Sequence, residues 1–422
     1  MNFVSIFQKF KQKLSYEKFY FYAFLLFAFT MPLSRAAISF FIILLPLVWI
    51  VEGDFHRKFN EIKSSTFFIV FLLLYMLVIL SIFPSEDKKS ALEFPRLYAY
   101  WLTMFVLFTS LKREWIRSVI TAFLFGMVVS EIIAYGIFFD LWDFRASAKR
   151  SVSPFMMHID YSIYLAFTSV LLFSRIISAH YHKREKILMA IFFLSTTGNL
   201  FLQTGRTGQV AFIFAVSAMF FLRFRFTFKS LLYPILSLLV IFTLAFHGSN
   251  NFNQRLKYTL ADLQGIASGN LNTSWGIRLA FYGLAYEIFK ENPLLGVGVG
   301  DYRRAATEIL QRDEFAHYPD DMREFLGDNH FHNQFLQVTV QMGIIGLSLT
   351  ILLYFLAFRS AWRIKNSEYR AIFLVFLIIY TIGSFSDPLW IRQFTVIIWV
   401  LFVSLMLKYE SFEKLSAQNA QE

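Results

Sequence analysis

No cysteine occurs in the 422 residues, which excludes disulfides, thiolate nucleophiles and thiolate metal sites together. Charge is scarce as well. Asp, Glu, Lys and Arg make up 16% of the chain, where a soluble globular protein carries about a quarter. No internal repeat and no low-complexity linker is present. What is there is apolar and aromatic: 57% hydrophobic and 19% aromatic residues, with 54 phenylalanines and a mean hydropathy of +0.52. Such a chain partitions into a bilayer, so length no longer counts domains. The net charge of +11 is no nucleic-acid footprint, because its meaning depends on which loops carry it.

A helix needs about 20 mostly apolar residues to cross the hydrocarbon layer. By that measure twelve spans are expected, at 17–33, 36–51, 66–83, 96–110, 115–139, 156–178, 187–203, 208–222, 230–247, 332–358, 370–385 and 390–407. They make an all-α polytopic membrane protein of three parts: residues 1–247 with nine spans, a polar segment 248–331, and residues 332–422 with three spans and a tail. Segments 96–110 and 208–222 are short, which implies a tilt or a polar end. The first span follows Lys9, Lys11, Lys13 and Lys18, and Ser34-Arg35-Ala36-Ala37 comes after it. It lacks a convincing small-residue cleavage site and another span follows at once, so it reads as an uncleaved anchor.

Basic residues in short loops set orientation. Alternate loops carry Arg57/Lys58/Lys63, Lys112/Arg113/Arg117, Lys183/Arg184/Lys186, Arg223/Arg225/Lys229 and Arg359/Arg363/Lys365/Arg370. With the N-terminal lysines, Lys408 and Lys414, that face holds 22 of the 40 basic residues. Both termini are therefore expected in the cytoplasm, and segment 248–331 on the trans side. Basic residues on the trans face are fewer and mostly arginine, among them Arg35, Arg96, Arg206 and Arg392. They either pair with neighbours such as Glu86, Asp87, Glu93 and Asp143 or wait for an anionic ligand. Only Glu131 lies well within a span, whereas ion-coupled transporters need carboxylates or broken helices at mid-membrane.

Within the trans segment, Ile277, Phe281, Leu284 and Ile288 recur as the apolar stripe of a helix over 276–291. Thr273 and Ser274 can cap it and Asn292-Pro293 ends it. The helix is expected along the membrane surface or over a cavity mouth.

Three places carry chemistry. Asp328-Asn329-His330-Phe331-His332-Asn333 stands where the polar segment re-enters the membrane. A neutral histidine can take a proton from a hydroxyl; the plainer reading of His332 is a helix cap, and Asn333 could orient it or do the capping. A metal is disfavoured, because His330 and His332 at i, i+2 of a helix point to different sides. Arg206 lies in Thr204-Gly205-Arg206-Thr207-Gly208, where glycines let backbone N–H groups approach a ligand and the guanidinium fork matches phosphate oxygens. Otherwise this is a tight turn with one snorkelling arginine. Arg278 sits in the first turn of its helix, which favours anions, or merely belongs to a solvated face. Gly296-Val297-Gly298-Val299-Gly300 lacks the strand–turn–helix context of a nucleotide fold and reads as a loop of close turns.

Taken in order, the Thr-Gly-Arg-Thr-Gly turn, the Arg278 helix leading into Asn292-Pro293-Leu294-Leu295-Gly296-Val297-Gly298, and His330-Phe331-His332-Asn333 before Met342-Gly343-Ile344-Ile345-Gly346-Leu347 resemble the O-antigen ligase family. The resemblance runs over essentially the whole chain. Where members commonly carry a glutamate, this chain has Gln341, so no role for that carboxylate carries over. The resemblance implies a fold like that of the GT-C glycosyltransferases in a Gram-negative inner membrane, with its active site in the periplasm. It also implies transfer of an undecaprenyl-diphosphate-linked O-antigen to a lipid A–core hydroxyl, with inversion and without metal or cofactor. His332 would be the base, Arg206 and Arg278 would hold the diphosphate, and His330, Asn333, Arg150 and His158 would support them. An O-antigen polymerase or another lipid-linked oligosaccharide transferase of the superfamily is the nearest alternative, and a polytopic transporter or flippase a remote one.

Overall fold

A computed structural model describes residues 15–144, 152–224, 227–248 and 250–418; every described element is helical. The first group is α1 (Tyr16–Thr30), α2 (Arg35–Glu52), α3 (Phe55–Lys63), α4 (Thr66–Leu80), α5 (Lys88–Ala99), α6 (Thr103–Ser110) and α7 (Trp115–Phe138). Then come α8 (His158–Ile177), α9 (Lys183–Leu202), α10 (Arg206–Phe224) and α11 (Phe228–Gly248). The polar segment folds as α12 (Asn250–Ala267), α13 (Gly276–Glu291), α14 (Tyr302–Leu310) and α15 (Asp320–Asp328), and α16 (Gln334–Arg363), α17 (Ser367–Ser386) and α18 (Gln393–Gln418) close the chain.

Among the described residues nine helices are long and apolar enough to cross a membrane, or ten if the pair α3–α4, bent by 93°, counts as one span. The protein is thus an all-α, multi-span membrane protein. Three expected spans take shorter forms. Helices α1 and α4 have 15 residues each, with Pro32 and Pro84 close behind them, where a helix cannot continue. The 96–110 stretch is divided between α5, a 3-10 turn at Tyr100–Leu102, and α6.

Helices apolar on every side belong at the centre of a bundle. α18 is buried without interruption from Phe394 to Glu410, and α8 from Asp160 to Leu172. Trp390, Trp399, Trp101, Tyr354 and Tyr380 pack there as one aromatic cluster, with ring centroids 4.7–6.2 Å apart. Glu131 of α7 is also internal; it accepts hydrogen bonds from Ser195 (2.8 Å), Tyr161 (3.1 Å) and Asn199 (2.5 Å), so its charge is absorbed by side chains.

Helix α16 breaks at Gly343, where φ is +61° and ψ −158°, a conformation essentially reserved for glycine. The glycine-rich loop fills the break. Val297 and Gly298 N–H donate to the carbonyls of Val340 (2.9 Å) and Gln341 (3.0 Å), and Ile344 N–H donates to Pro293 (2.9 Å). The Gln341 amide donates to the Val299 carbonyl at 3.0 Å. Backbone groups freed by a break inside an apolar setting must be re-satisfied by protein; the close turns of residues 293–300 serve that purpose.

The expected surface helix is found as α13, with Phe281, Leu284 and Ile288 buried and Ile277 partly so. Its N-terminus is held by Gly276 N–H donating to Thr273 Oγ1 at 3.0 Å. The stripe meets protein: Phe281 lies 5.5 Å from the rings of both Phe331 and His332. α13 therefore covers the histidine loop.

Candidate active site at the histidine loop

Residues 330–333 are not helical. Asn333 is the N-cap of α16, its Oδ1 accepting from Phe335 N–H (2.8 Å) and Leu336 N–H (3.2 Å). The same side chain donates through Nδ2 to Tyr282 Oη of α13 at 2.7 Å. Just before it, His332 has φ +46°, a left-handed conformation that costs a non-glycine residue of order 1–3 kcal/mol. That turn overturns the expectation that the two histidines face apart. Their ring centroids are 4.3 Å apart, because the i, i+2 argument holds only within a helix.

Both rings face Asp387, a residue the sequence reading did not single out. It is fully buried at the C-cap of α17. His330 Nε2 lies 3.5 Å and His332 Nδ1 3.6 Å from Asp387 Oδ1, ion-pair range but longer than a formed hydrogen bond. On its other side Asp387 is paired with Arg392, whose Nη1 also donates to Asp160 Oδ1 of α8 at 3.0 Å. Arg392 thus ties α8, the α17–α18 turn and, 3.5 Å from His330 Nε2, the histidine loop.

The two histidines are not equivalent. His330 Nδ1 accepts the His332 backbone N–H at 3.4 Å, and its Nε2 stands between Asp387 and Arg392. Burial drives this ring down to about 4 against the opposing pull of Asp387, so it is neutral at physiological pH. His332 lies against the faces of Phe281 and Phe325 and turns Nδ1 to Asp387. Among the described residues its Nε2 has no hydrogen-bond partner. Burial would raise the Asp387 carboxyl, yet His332, Arg392 and His330 hold it below the ordinary aspartate value. Burial likewise works to lower Arg392, and Asp387 and Asp160 more than offset it.

The donor atoms of His330, His332 and Asp387 lie within 4.8 Å of one another, a spacing a divalent ion can use. Arg392 already supplies a positive charge to the same carboxylate and stands beside His330. That guanidinium opposes a second cation, so the group reads as a buried carboxylate paired with Arg392 and faced by two imidazoles.

The arginines come from neighbouring elements. Arg206 opens α10 and reaches α12, with Nη1 3.9 Å from Asp262 Oδ2 and 3.4 Å from Thr259 Oγ1. Arg278 of α13 donates to the Ser274 carbonyl at 2.8 Å and has no carboxylate within ion-pair distance among the described residues. Burial lowers its pKa, while Asp387 and Asp262 act the other way; Arg278 therefore lies in the field of both carboxylates. The glycines beside Arg206 do something other than expected. A Cβ on Gly205 would sit 2.5 Å from Ser162 Cβ and 2.6 Å from the His158 carbonyl, and one on Gly208 only 2.1 Å from the Ser162 carbonyl. They permit close packing of α10 on α8, with Gly208 N–H donating to Ser162 Oγ at 3.0 Å. His158 opens α8 two residues before Asp160, whereas Arg150 lies outside the described residues.

The two carboxylates that the sequence reading did not single out left a faint signal: Asp387 stands with Arg392, an opposite charge, within one short turn between apolar spans, and Asp160 is a carboxylate at the mouth of another span.

Residues 190–351 match the family model described as O-antigen ligase, which bears out the resemblance carried by the motifs. The stretch includes Arg206, Arg278, His330, His332 and Asn333 and leaves out Asp160, Asp387 and Arg392. The chain is similar to the O-antigen ligase of Escherichia coli, 27% identical over 162 residues, 37% of this chain and 35% of that protein. It is also similar to proteins named as polysaccharide ligases in Rickettsia conorii, 29% identical over 125 residues and 28% of each chain, and in Rickettsia felis, 38% identical over 80 residues, 18% of this chain and 20% of that one. The alignments span about a third or less of these relatives' lengths.

Proposed function

With residues 190–351 matching the O-antigen ligase family, we propose that this protein joins a lipid-diphosphate-linked glycan to a sugar hydroxyl. The donor is an O-antigen polysaccharide on undecaprenyl diphosphate and the acceptor the lipid A–core, in the outer leaflet of a Gram-negative inner membrane. The observation that carries the reading is the pairing of His332 Nδ1 with buried Asp387 across 3.6 Å, which leaves Nε2 for the acceptor.

His332 Nε2 takes the acceptor hydroxyl proton as that oxygen attacks the anomeric carbon. The bond from that carbon to the diphosphate oxygen breaks, and its electron pair leaves with the diphosphate. Direct displacement inverts the anomeric centre. Asp387 steadies the imidazolium that forms, and Arg392 keeps Asp387 charged and in place. The diphosphate needs fixed positive charge rather than a metal, and Arg278 and Arg206 supply it. His330 is a neutral structural neighbour.

The loop charges support a topology in which Arg206 and residues 248–331 are periplasmic and residues 52–65 and 359–370 cytoplasmic. Single-cysteine labelling is clean in a chain without cysteine: a cysteine at Ser274 should react in cells with an intact inner membrane, and reaction only after permeabilisation would reverse the orientation. For the activity, purified lipid-linked donor and lipid A–core are incubated in excess chelator. Transfer should proceed with native protein and collapse with His332→Ala. Abolition by chelator with rescue by a divalent ion would overturn the metal-free mechanism. In cells, deletion should remove the lipopolysaccharide ladder while lipid-linked polymer accumulates; loss of the polymer itself would point to a polymerase.

A further inference from the structure

α13 buries Phe281, Leu284 and Ile288 and leaves the opposite face open. On that face Tyr282 and Tyr286 are 45% and 61% exposed, one helical turn apart. Beside them, further round the helix, Gly283 has open space where a side chain would stand. One turn before Tyr282 is Arg278, which has no carboxylate within ion-pair distance among the described residues and lies in the field of Asp387. Tyr282 is no loose surface ring. Its hydroxyl accepts the Asn333 amide at 2.7 Å, and Asn333 follows His332 in the chain, so the exposed ring stands beside the proposed reacting centre.

Along one stripe of one helix the order is cation, aromatic ring, aromatic ring, with steps of about 5.4 Å per turn and the exposed Leu279 beside them. A sugar-diphosphate presents the same order, a dianionic group and then pyranose rings whose apolar C–H faces pack on aromatic planes. We infer that Tyr282 and Tyr286 form a glycan platform, Tyr282 under the sugar bonded to the diphosphate and Tyr286 under the next residue of the chain. This rests on the ligase reading and adds the subsite that holds the polymer end of the donor. Lys290, 5.2 Å from the Tyr286 ring centroid, closes the far end. A bilayer contact is the competing occupant, and the hydrogen bond from Asn333 favours the glycan, because it fixes Tyr282 to the histidine loop.

The test compares full-length native protein with Tyr286→Ala, Tyr286→Trp, Tyr282→Phe and His332→Ala in detergent, each checked for native folding by size exclusion and circular dichroism. Two probes are used, undecaprenyl diphosphate carrying several glycan repeats and undecaprenyl diphosphate alone. Tyr286→Ala should raise KM and Kd for the glycan-bearing probe roughly five- to twentyfold, with kcat and the affinity for the bare diphosphate little changed. Tyr286→Trp should restore binding. Tyr282→Phe keeps the ring and loses the hydroxyl, so it should lower kcat more than it raises KM. Unchanged KM and Kd for glycan in Tyr286→Ala would overturn the platform. So would quenching of the Tyr286→Trp indole by brominated acyl chains with no glycan dependence, which makes the face a membrane contact. The two readings fail separately: absence of transfer by the native protein sinks the ligase reading, normal turnover by His332→Ala removes only the base assignment, and glycan-dependent binding lost in Tyr286→Ala still holds the platform.

Discussion

The two ends of the first part of α16 contrast sharply. At Gly343 the helix breaks and the glycine-rich loop fills the break with hydrogen bonds, 2.9–3.0 Å between Val297, Gly298, Ile344 and their partners and 3.4 Å from Ile345 N–H to the Leu294 carbonyl. Ten residues earlier, at the histidine loop, the groups are stronger and their contacts looser. His330 and His332 stand 3.5 and 3.6 Å from Asp387, and His332 sits in a strained backbone. Both sites deviate from regular helix; one is complete within the protein, and the other keeps polar capacity in reserve. A strained non-glycine backbone with unspent polarity marks a place for a ligand, and a glycine turn with its hydrogen bonds made marks a place for packing.

The sharpest way to break that comparison is His332→Ala, expected to cost roughly 10²–10⁴-fold in turnover with the protein still inserted. His330→Ala should be milder in the same transfer assay, and equal losses would erase the distinction between the rings. Asp387→Asn comes next, with an expected loss of up to about 10⁴-fold, the drop that follows when the carboxylate orienting a catalytic histidine becomes an amide. Part of that effect should appear as lower thermal stability, since Arg392 loses a buried partner; a purely thermal effect with normal turnover would make Asp387 structural. Arg278→Lys keeps charge and loses the fork, and should reduce transfer at least about tenfold. Arg206→Lys should follow it less steeply, because Asp262 and Thr259 already engage that side chain. The smallest effect on turnover per folded molecule belongs to Gly343→Ala. A Cβ there meets the Leu294 carbonyl at 2.3 Å, so the yield and melting temperature of purified protein should fall while the surviving fraction transfers glycan normally. Loss of turnover with unchanged stability would give the glycine break a role in chemistry.

What the sequence made legible was whatever a single segment carries. The stripe Phe281, Leu284, Ile288 announced α13 with its bounds, and His330-Phe331-His332-Asn333 announced the loop, since both depend on neighbours within a few residues. Helices α14 and α15, nine residues each and charged, are too short to stand out, because an amphipathic pattern needs several turns to be read. Asp160 and Asp387 escaped for another reason, and Arg392 was visible only as one trans-face arginine among several. Each is an ordinary loop or helix-end charge on its own, and only the packing of α8 against α17 and α18 brings them to the histidines. The glycines around Arg206 were visible, and of the two readings they allow the structure shows the tight turn, with their close approach made to Ser162 of α8.

The bridge made by Arg392 has a consequence for how the molecule is born. It links Asp160, near the start of α8, with Asp387, 227 positions later. During synthesis the histidine loop, Arg206 and Arg278 are made before Asp387 and Arg392, the partners that face the two histidines in the folded protein. The carboxylate and the guanidinium that complete this cluster come only with the turn of the final hairpin, between α17 and α18. On the proposed reading, a chain without that hairpin would hold the histidines without their counter-charge.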